Sequence, residues 1–249
     1  MIARSGPCLE ARPLGQGPRL AERGFSLVEM MIALTLTLAL SAGMLTMLMS
    51  TRGNSIAQTG LEQAQDDQRL ALAMLANVVH NAAYFPNPQM STVATELPAS
   101  GQFAVAGQGL AGSTVAAAPG DTLLVRYEAG SGDGVMDCNG VTNSGGTPLV
   151  MVNSFSVDAS GNLTCSVNGA AAQTLSGGVQ NFKVLYGVDT NGDAASDQYI
   201  AASGMSAANW ANVYSVRITL TFANPLAGQP GQGSTLAPIT QIIPVLNRL

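Results

Sequence analysis

The chain has 249 residues and 25.4 kDa, 47% of them hydrophobic and only 10% charged, too apolar for disorder and long enough for one substantial core plus an appendage. Ten Lys and Arg stand against 15 Asp and Glu, and the basic residues cluster only in the first two dozen positions, so no phosphate backbone finds a footprint and direct nucleic-acid binding is not expected. Three cysteines and one histidine leave almost no material for a metal cage or a His-dependent catalytic set, and the chain reads as a non-enzyme without a cofactor.

Residues 1–24 carry Arg4, Arg12, Arg19 and Arg23 against Glu10 and Glu22, and Gly6, Pro7, Pro13, Gly15, Gly17 and Pro18 leave most of the segment without regular structure. From Phe25 to Met49 the only charge is Glu29. As a helix this run extends roughly 37 Å, against a hydrocarbon core of about 30 Å, so residues 25–49 predict a transmembrane segment. The upstream arginines hold the first residues in the cytoplasm and send the remainder outward. A carboxylate at the bilayer centre costs about 2.5–3.5 kcal/mol, and less near the edge, so Glu29 reads either as a group seeking a cation or as a charge tolerated at the interface. Ala39-Leu40-Ser41 ahead of Ala42 loosely fits a signal-peptidase site, the other reading of this run, although the apolar stretch continues past it to Met49.

Residues 50–85 continue the helix. Leu61, Ala64, Gln68, Leu72, Leu75 and Val79 recur at three- and four-residue spacing, with Glu62, Asp66, Asp67 and Arg69 on other faces, which predicts an amphipathic helix to about Ala83. Gly53 and Gly60 weaken it and mark a candidate bend, and the prolines before residue 89 stop it. His80, near the end, reads as a complement to the helix dipole, since no Ser or Cys constellation points to it.

Residues 86–249 predict a β-rich head. Thr122–Tyr127, Pro148–Val157, Asn162–Val167, Val179–Gly187, Val213–Phe222 and Ile239–Leu246 are runs of Val, Leu, Ile, Phe and Tyr between Gly, Asn, Asp and Pro, and Val213–Phe222 alternates cleanly. The expected fold class is α+β: one long N-terminal helix packed against a C-terminal antiparallel sheet. Met90 to Gly120, rich in Ala, Gly, Ser and Thr, reads as an irregular loop region. Within it Gly107-x-Gly109-x-x-Gly112 imitates a dinucleotide fingerprint but opens no helix, so it is read as a loop. Asp189, Asn191, Asp193 and Asp197 offer oxygens at spacings suited to calcium, without the glycine and closing glutamate of an EF-hand; a turn with solvated carboxylates is the preferred reading.

The run Gly24-Phe25-Ser26-Leu27-Val28-Glu29 after a basic leader closely resembles the type IV prepilin class. That resemblance implies cleavage between Gly24 and Phe25 by a membrane prepilin peptidase, N-methylation of Phe25, and pairing of Glu29 with the N-terminal amine of a neighbouring subunit. Twenty-four residues make a long leader for the class, which suggests a start codon further downstream. Its removal takes away Cys8, four Arg and two Glu, leaving six basic and 13 acidic side chains.

The head resembles the PilW family of minor pilins through Tyr84-Phe85, Arg126-Tyr127, Cys138 with Cys165, Tyr186-Gly187-Val188-Asp189, Trp210 with Val213-Tyr214-Ser215-Val216-Arg217-Ile218, and Asn247-Arg248. By that resemblance the chain primes pilus assembly at or near the tip. Its partners would be other minor pilins, the major pilin, the inner-membrane assembly platform and a large PilY-type tip protein. It would sit in the bacterial inner membrane first and on the pilus afterwards. A minor pseudopilin of type II secretion shares the N-terminal pattern, and a signal-anchored surface binding module that never polymerises is the reading from a different class. Outside the cytoplasm Cys138 and Cys165 are expected to pair, the alternative being two buried thiols.

Overall fold

A computed structural model describes residues 24–248, which include no part of the basic leader before Gly24. The chain divides into two units, Met1–Gly53 and Asn54–Leu249. Helix α1, Leu27–His80, supplies all the described helix of the first and opens the second. In the second unit Ala71, Leu75, Val78 and Val79 are the buried positions of α1, one stripe at helical spacing, while Leu61, Ala64, Gln68 and Leu72 are half-buried beside it. No break interrupts α1 at Gly53 or Gly60; at Gly60 a methyl group would come within 3.3 Å of Pro225, so this glycine admits a close neighbour. The helix ends on a left-handed Ala83, whose N–H donates to Arg126 O, and Asn247 Nδ2 donates to His80 O and Ala82 O, satisfying carbonyls the last turn leaves open.

The head holds two antiparallel sheets rather than the single one expected. The first runs in chain order, β1 (Leu110–Ser113), β2 (Thr122–Ala129), β3 (Leu149–Val157), β4 (Leu163–Val167) and β5 (Gln173–Ser176). The second orders β7 (Gln198–Ala201), β6 (Val179–Val188), β8 (Val213–Phe222) and β9 (Ile239–Pro244). The α1 stripe joins inward side chains of both sheets, including Tyr127, Phe155, Phe182, Tyr186, Ile218 and Ile243, in one core. Side chains help tie the sheets together. Asp121, buried at the start of β2, accepts from Val184 N at 2.9 Å and pairs with Lys183 Nζ at 3.3 Å, and Tyr186 Oη donates to Ala111 O at 3.0 Å. Lys183 Nζ also donates to Val115 O.

The region Met90 to Gly120 is more ordered than its composition predicts. It contains the short helix α2 (Val93–Glu96), capped by Thr92, and β1, and it covers the outer face of β2 with Phe103, which packs with Ala111 and Leu124 in a second small core. Weak strand formers take up sheet structure here because the partner strand, not local propensity, supplies the pairing. A further short helix, α3 (Ala207–Ala211), places Trp210 edge-on to Tyr186, with ring centroids 4.6 Å apart.

Candidate functional site

The residues expected to take part in processing and assembly, Gly24, Phe25 and Glu29, lie just ahead of α1 and in its first turn. Gly24 is outside any regular element, none of the described residues lies within 4 Å of where a side chain on it would stand, and Phe25 is 83% exposed. The backbone across the Gly24–Phe25 bond is therefore open to an enzyme. Ser26 O accepts from Met30 N, and Glu29 falls in the first helical turn, where the positive end of the helix dipole favours a carboxylate. Every residue from Gly24 to Ile56 is exposed, so leucines and methionines face outward around the whole circumference. Water would not tolerate that surface, but hydrocarbon or other apolar helices would. The polar side chains in the run silence themselves: Thr35, Thr37, Ser41 and Thr46 each donate to a carbonyl one turn earlier in the helix.

In the head, Cys138 and Cys165 form a disulfide with their Cα atoms 6.4 Å apart. Cys165 lies on β4, and Cys138 lies in the loop after β2. That loop is shaped by side chains: Asn153, fully buried on β3, accepts from Cys138 N at 2.9 Å, Tyr127 Oη donates to Met136 O at 2.8 Å, and Asp137 Oδ1 accepts from the amides of Asn139 and Val141. Burial pushes the Tyr127 phenol up to about 12.

The structure gathers Asp189, Asn191, Asp193 and Asp197 into one loop, and their oxygens are directed at N–H groups. Asp189 accepts from the amides of Asn191, Gly192 and Ala194, Asp193 from Ala195 N, and Asp197 from Thr190 N and Oγ1. These bonds, led by the one from Gly192, hold the Asp189 carboxyl below the usual range. Among the described residues no group of three or more His, Cys, Asp and Glu could hold a metal ion. His80 is the last residue of α1, with its carbonyl taken by Asn247.

The Gly107-x-Gly109-x-x-Gly112 pattern serves packing. Gly107 is in the left-handed region at φ 77°, a methyl on Gly109 would strike the Ala83 backbone, and one on Gly112 would strike Tyr186 Oη.

Sequence reasoning missed Arg126 as more than half of an Arg-Tyr pair. It is 2% exposed on β2, and its guanidinium fastens the segment from Leu97 to Gln108 over that strand. The available signal was a charge inside the apolar run Leu123-Leu124-Val125-Arg126-Tyr127, a strand buried on both faces.

Comparison with known proteins adds two findings. Residues 19–45 match the family model described as the prokaryotic N-terminal methylation motif, a span that includes Gly24, Phe25 and Glu29. Residues 141–235 match the model described as type IV pilus-assembly protein W. Together the two hits match a PilW-like type IV pilin. No curated protein matches the chain. The two matches fall on different parts of the chain: the motif, from Gly24 on, lies on the apolar, exposed start of α1, and the PilW match spans the disulfide's Cys165, the Asp189 loop and strands β3 to β8. Both families are structural pilin families, and the apolar helix, long and apolar enough to cross a membrane, is consistent with a membrane-anchored pilin.

Proposed function

We propose that this pilin is a minor subunit that primes type IV pilus assembly and sits at or near the filament tip. One observation supports this above others: a helix start exposed and apolar on all sides, carrying the single carboxylate Glu29 behind an open Gly24–Phe25 bond, on a chain whose head matches the PilW model. In this reading residues 1–24 are a leader removed on the cytoplasmic side of the inner membrane by prepilin peptidase, which then methylates the Phe25 amine. Residues 25–49 hold the subunit in the bilayer and afterwards in the filament core. Residues 50–85 carry the head, 86–249, out to the surface, where the Cys138–Cys165 bond braces a Gly-rich loop against shear. Glu29 pairs with the new N-terminal amine of an adjacent subunit and sets axial register. Other minor pilins, the major pilin, the assembly platform and a tip protein are the partners.

Mass spectrometry of the mature N-terminus tests the reading. N-methylated Phe25 is the expected result. An intact leader or a start at Ala42 would favour a signal-anchored surface protein that never polymerises. Immunogold labelling that finds the subunit along filament shafts and not at their ends would remove the tip assignment and leave the rest.

A further inference from the structure

The outer face of the four-stranded sheet is built around an absent side chain. Gly187 sits next to the C-terminal end of β6, paired with Tyr199 on β7 and Ser215 on β8. Because position 187 is bare, Tyr199 lies across it, and its hydroxyl and that of Ser196 meet Ser215 Oγ at 3.1 and 2.7 Å. A methyl at Gly187 would collide with both seryl side chains. The tyrosine ring then serves as a platform: the Arg217 guanidinium lies 4.6 Å from its centroid.

Arg217 differs from the other basic side chains of the head. Arg126 spends its donors on carbonyls, and Lys183 pairs with Asp121. Among the described residues none accepts a hydrogen bond from the Arg217 guanidinium, and no carboxylate lies within ion-pair distance of it. Its neighbours in register are Leu185 on one side and Ile242, 54% exposed, on the other. The outward positions around it, Lys183, Thr219, Thr221 and Thr240, include no acid, on a chain that keeps 13 acidic and only six basic side chains after Gly24. A flat guanidinium with its orientation fixed, all its donors open and aliphatic groups beside it is arranged to take a carboxylate in a bidentate fork. Anionic lipid surfaces, by contrast, are held by clusters of several cations, and here one unpaired cation stands alone.

Resting on the pilin reading, we infer that this sheet face is a docking surface for a different pilin subunit, which presents an Asp or Glu side chain to Arg217 and an apolar contact to Ile242 and Leu185. The charge balance favours the direction: the face is the acid-free part of an acidic chain, and the partner supplies the acid.

The test places the photocrosslinking amino acid p-benzoylphenylalanine at Ile242 of the full-length protein in the cells that make it. The expected product is an adduct with another protein bearing a prepilin-type N-terminus, attached through a peptide that contains Asp or Glu. Its yield should fall about tenfold in the Arg217→Glu background and by less in Arg217→Lys. Thr219→Glu, which leaves the Arg217–Tyr199 stack in place, should lower it as well. Retention of the Cys138–Cys165 bond and of the melting temperature shows that the variants fold. An adduct whose yield is the same with Arg217→Glu, or one formed only with lipid or with a second copy of this chain, overturns the inference and leaves the pilin reading standing. A charge-dependent adduct with a protein that lacks a prepilin N-terminus overturns the inferred occupant of this face, and the pilin reading is tested separately by the mature N-terminus.

Discussion

The Arg126 guanidinium lies 4.2 Å from the centroid of the Phe103 ring and donates to Pro98 O at 2.7 Å and Gln108 O at 2.8 Å. It also donates to Leu97 O and Ser100 Oγ, so one side chain closes the segment that covers β2. Burial holds this guanidinium below its ordinary range, but it remains charged because every face of it meets oxygen or an aromatic ring. Replacing it with Ala leaves the buried Gln108 carbonyl without its donors and releases the contacts to Leu97, Pro98, Ser100 and Phe103, and should cost about 3 kcal/mol. Lysine should recover little, since an ammonium cannot span acceptors placed around a planar fork. Urea unfolding of the full chain in detergent measures this, and an Arg126→Ala variant within about 0.5 kcal/mol of wild type would remove the role given to it.

Double replacement of Cys138 and Cys165 by Ser opens a loop whose ends are separated by 27 positions, which should lower stability by about 3–4 kcal/mol in the chain-entropy account. Asn153→Leu should act in the same direction without touching sulfur. It leaves the Cys138 amide without its acceptor, so the loop meets Cys165 less often, and oxidative refolding should slow. Thiol alkylation during refolding reads that rate, and an unchanged rate in Asn153→Leu would show that the disulfide guides itself.

Much of this fold was legible in the chain. The strands β2, β3, β4, β6, β8 and β9 fall within two residues of the apolar runs that predict them, because each buries a face, and α1 begins two residues after Phe25 and ends three before the expected Ala83. Strands β1, β5 and β7 escaped: each has only four residues at a sheet edge, too few to show a period, and each pairs with a longer neighbour that offers it a ladder. The division into two sheets escaped for a related reason. It is decided by contacts such as Asp121 with Lys183 and Tyr186 with Ala111, more than 60 positions apart, which no local pattern encodes. The N-terminal methylation motif was legible because its spacing is local. Arg217 appeared only as a letter in a motif, and its stacking on Tyr199 depends on a glycine in a third strand.

The Asp189 loop gives a pH-dependent outcome. Its carboxyl is held below the unfolded value by amide donors, so the stability it contributes is present above about pH 4 and fades as pH falls through the lower folded value. Asp189→Asn should therefore melt lower than wild type at pH 7, with the gap narrowing below pH 4. Since Asp189, Asp193 and Asp197 already accept from amides, millimolar calcium or its removal with chelator should leave the melting temperature unchanged. A calcium-dependent rise of several degrees that disappears in Asp189→Asn would show that the loop rearranges to take the ion.

Glu29 offers the sharpest separation of folding from assembly. It stands in the first turn of α1 in the unit Met1–Gly53, and the core of the head draws on α1 only from Ala71 onward. Glu29→Ala should therefore leave the melting temperature of the head within about 1 °C of wild type. Inside a filament core the outcome differs. An amine at Phe25 without a carboxylate partner is a charge left unpaired in an apolar medium, and the cost falls on each subunit that tries to stack. Incorporation into sheared filaments should drop at least tenfold for Glu29→Ala and similarly for Glu29→Gln, which keeps the shape and loses the charge. Glu29→Asp, with charge retained on a shorter arm, should fall between. Filaments that contain Glu29→Gln at the wild-type level, from membranes holding equal amounts of both proteins, would mean that register is set elsewhere on the helix.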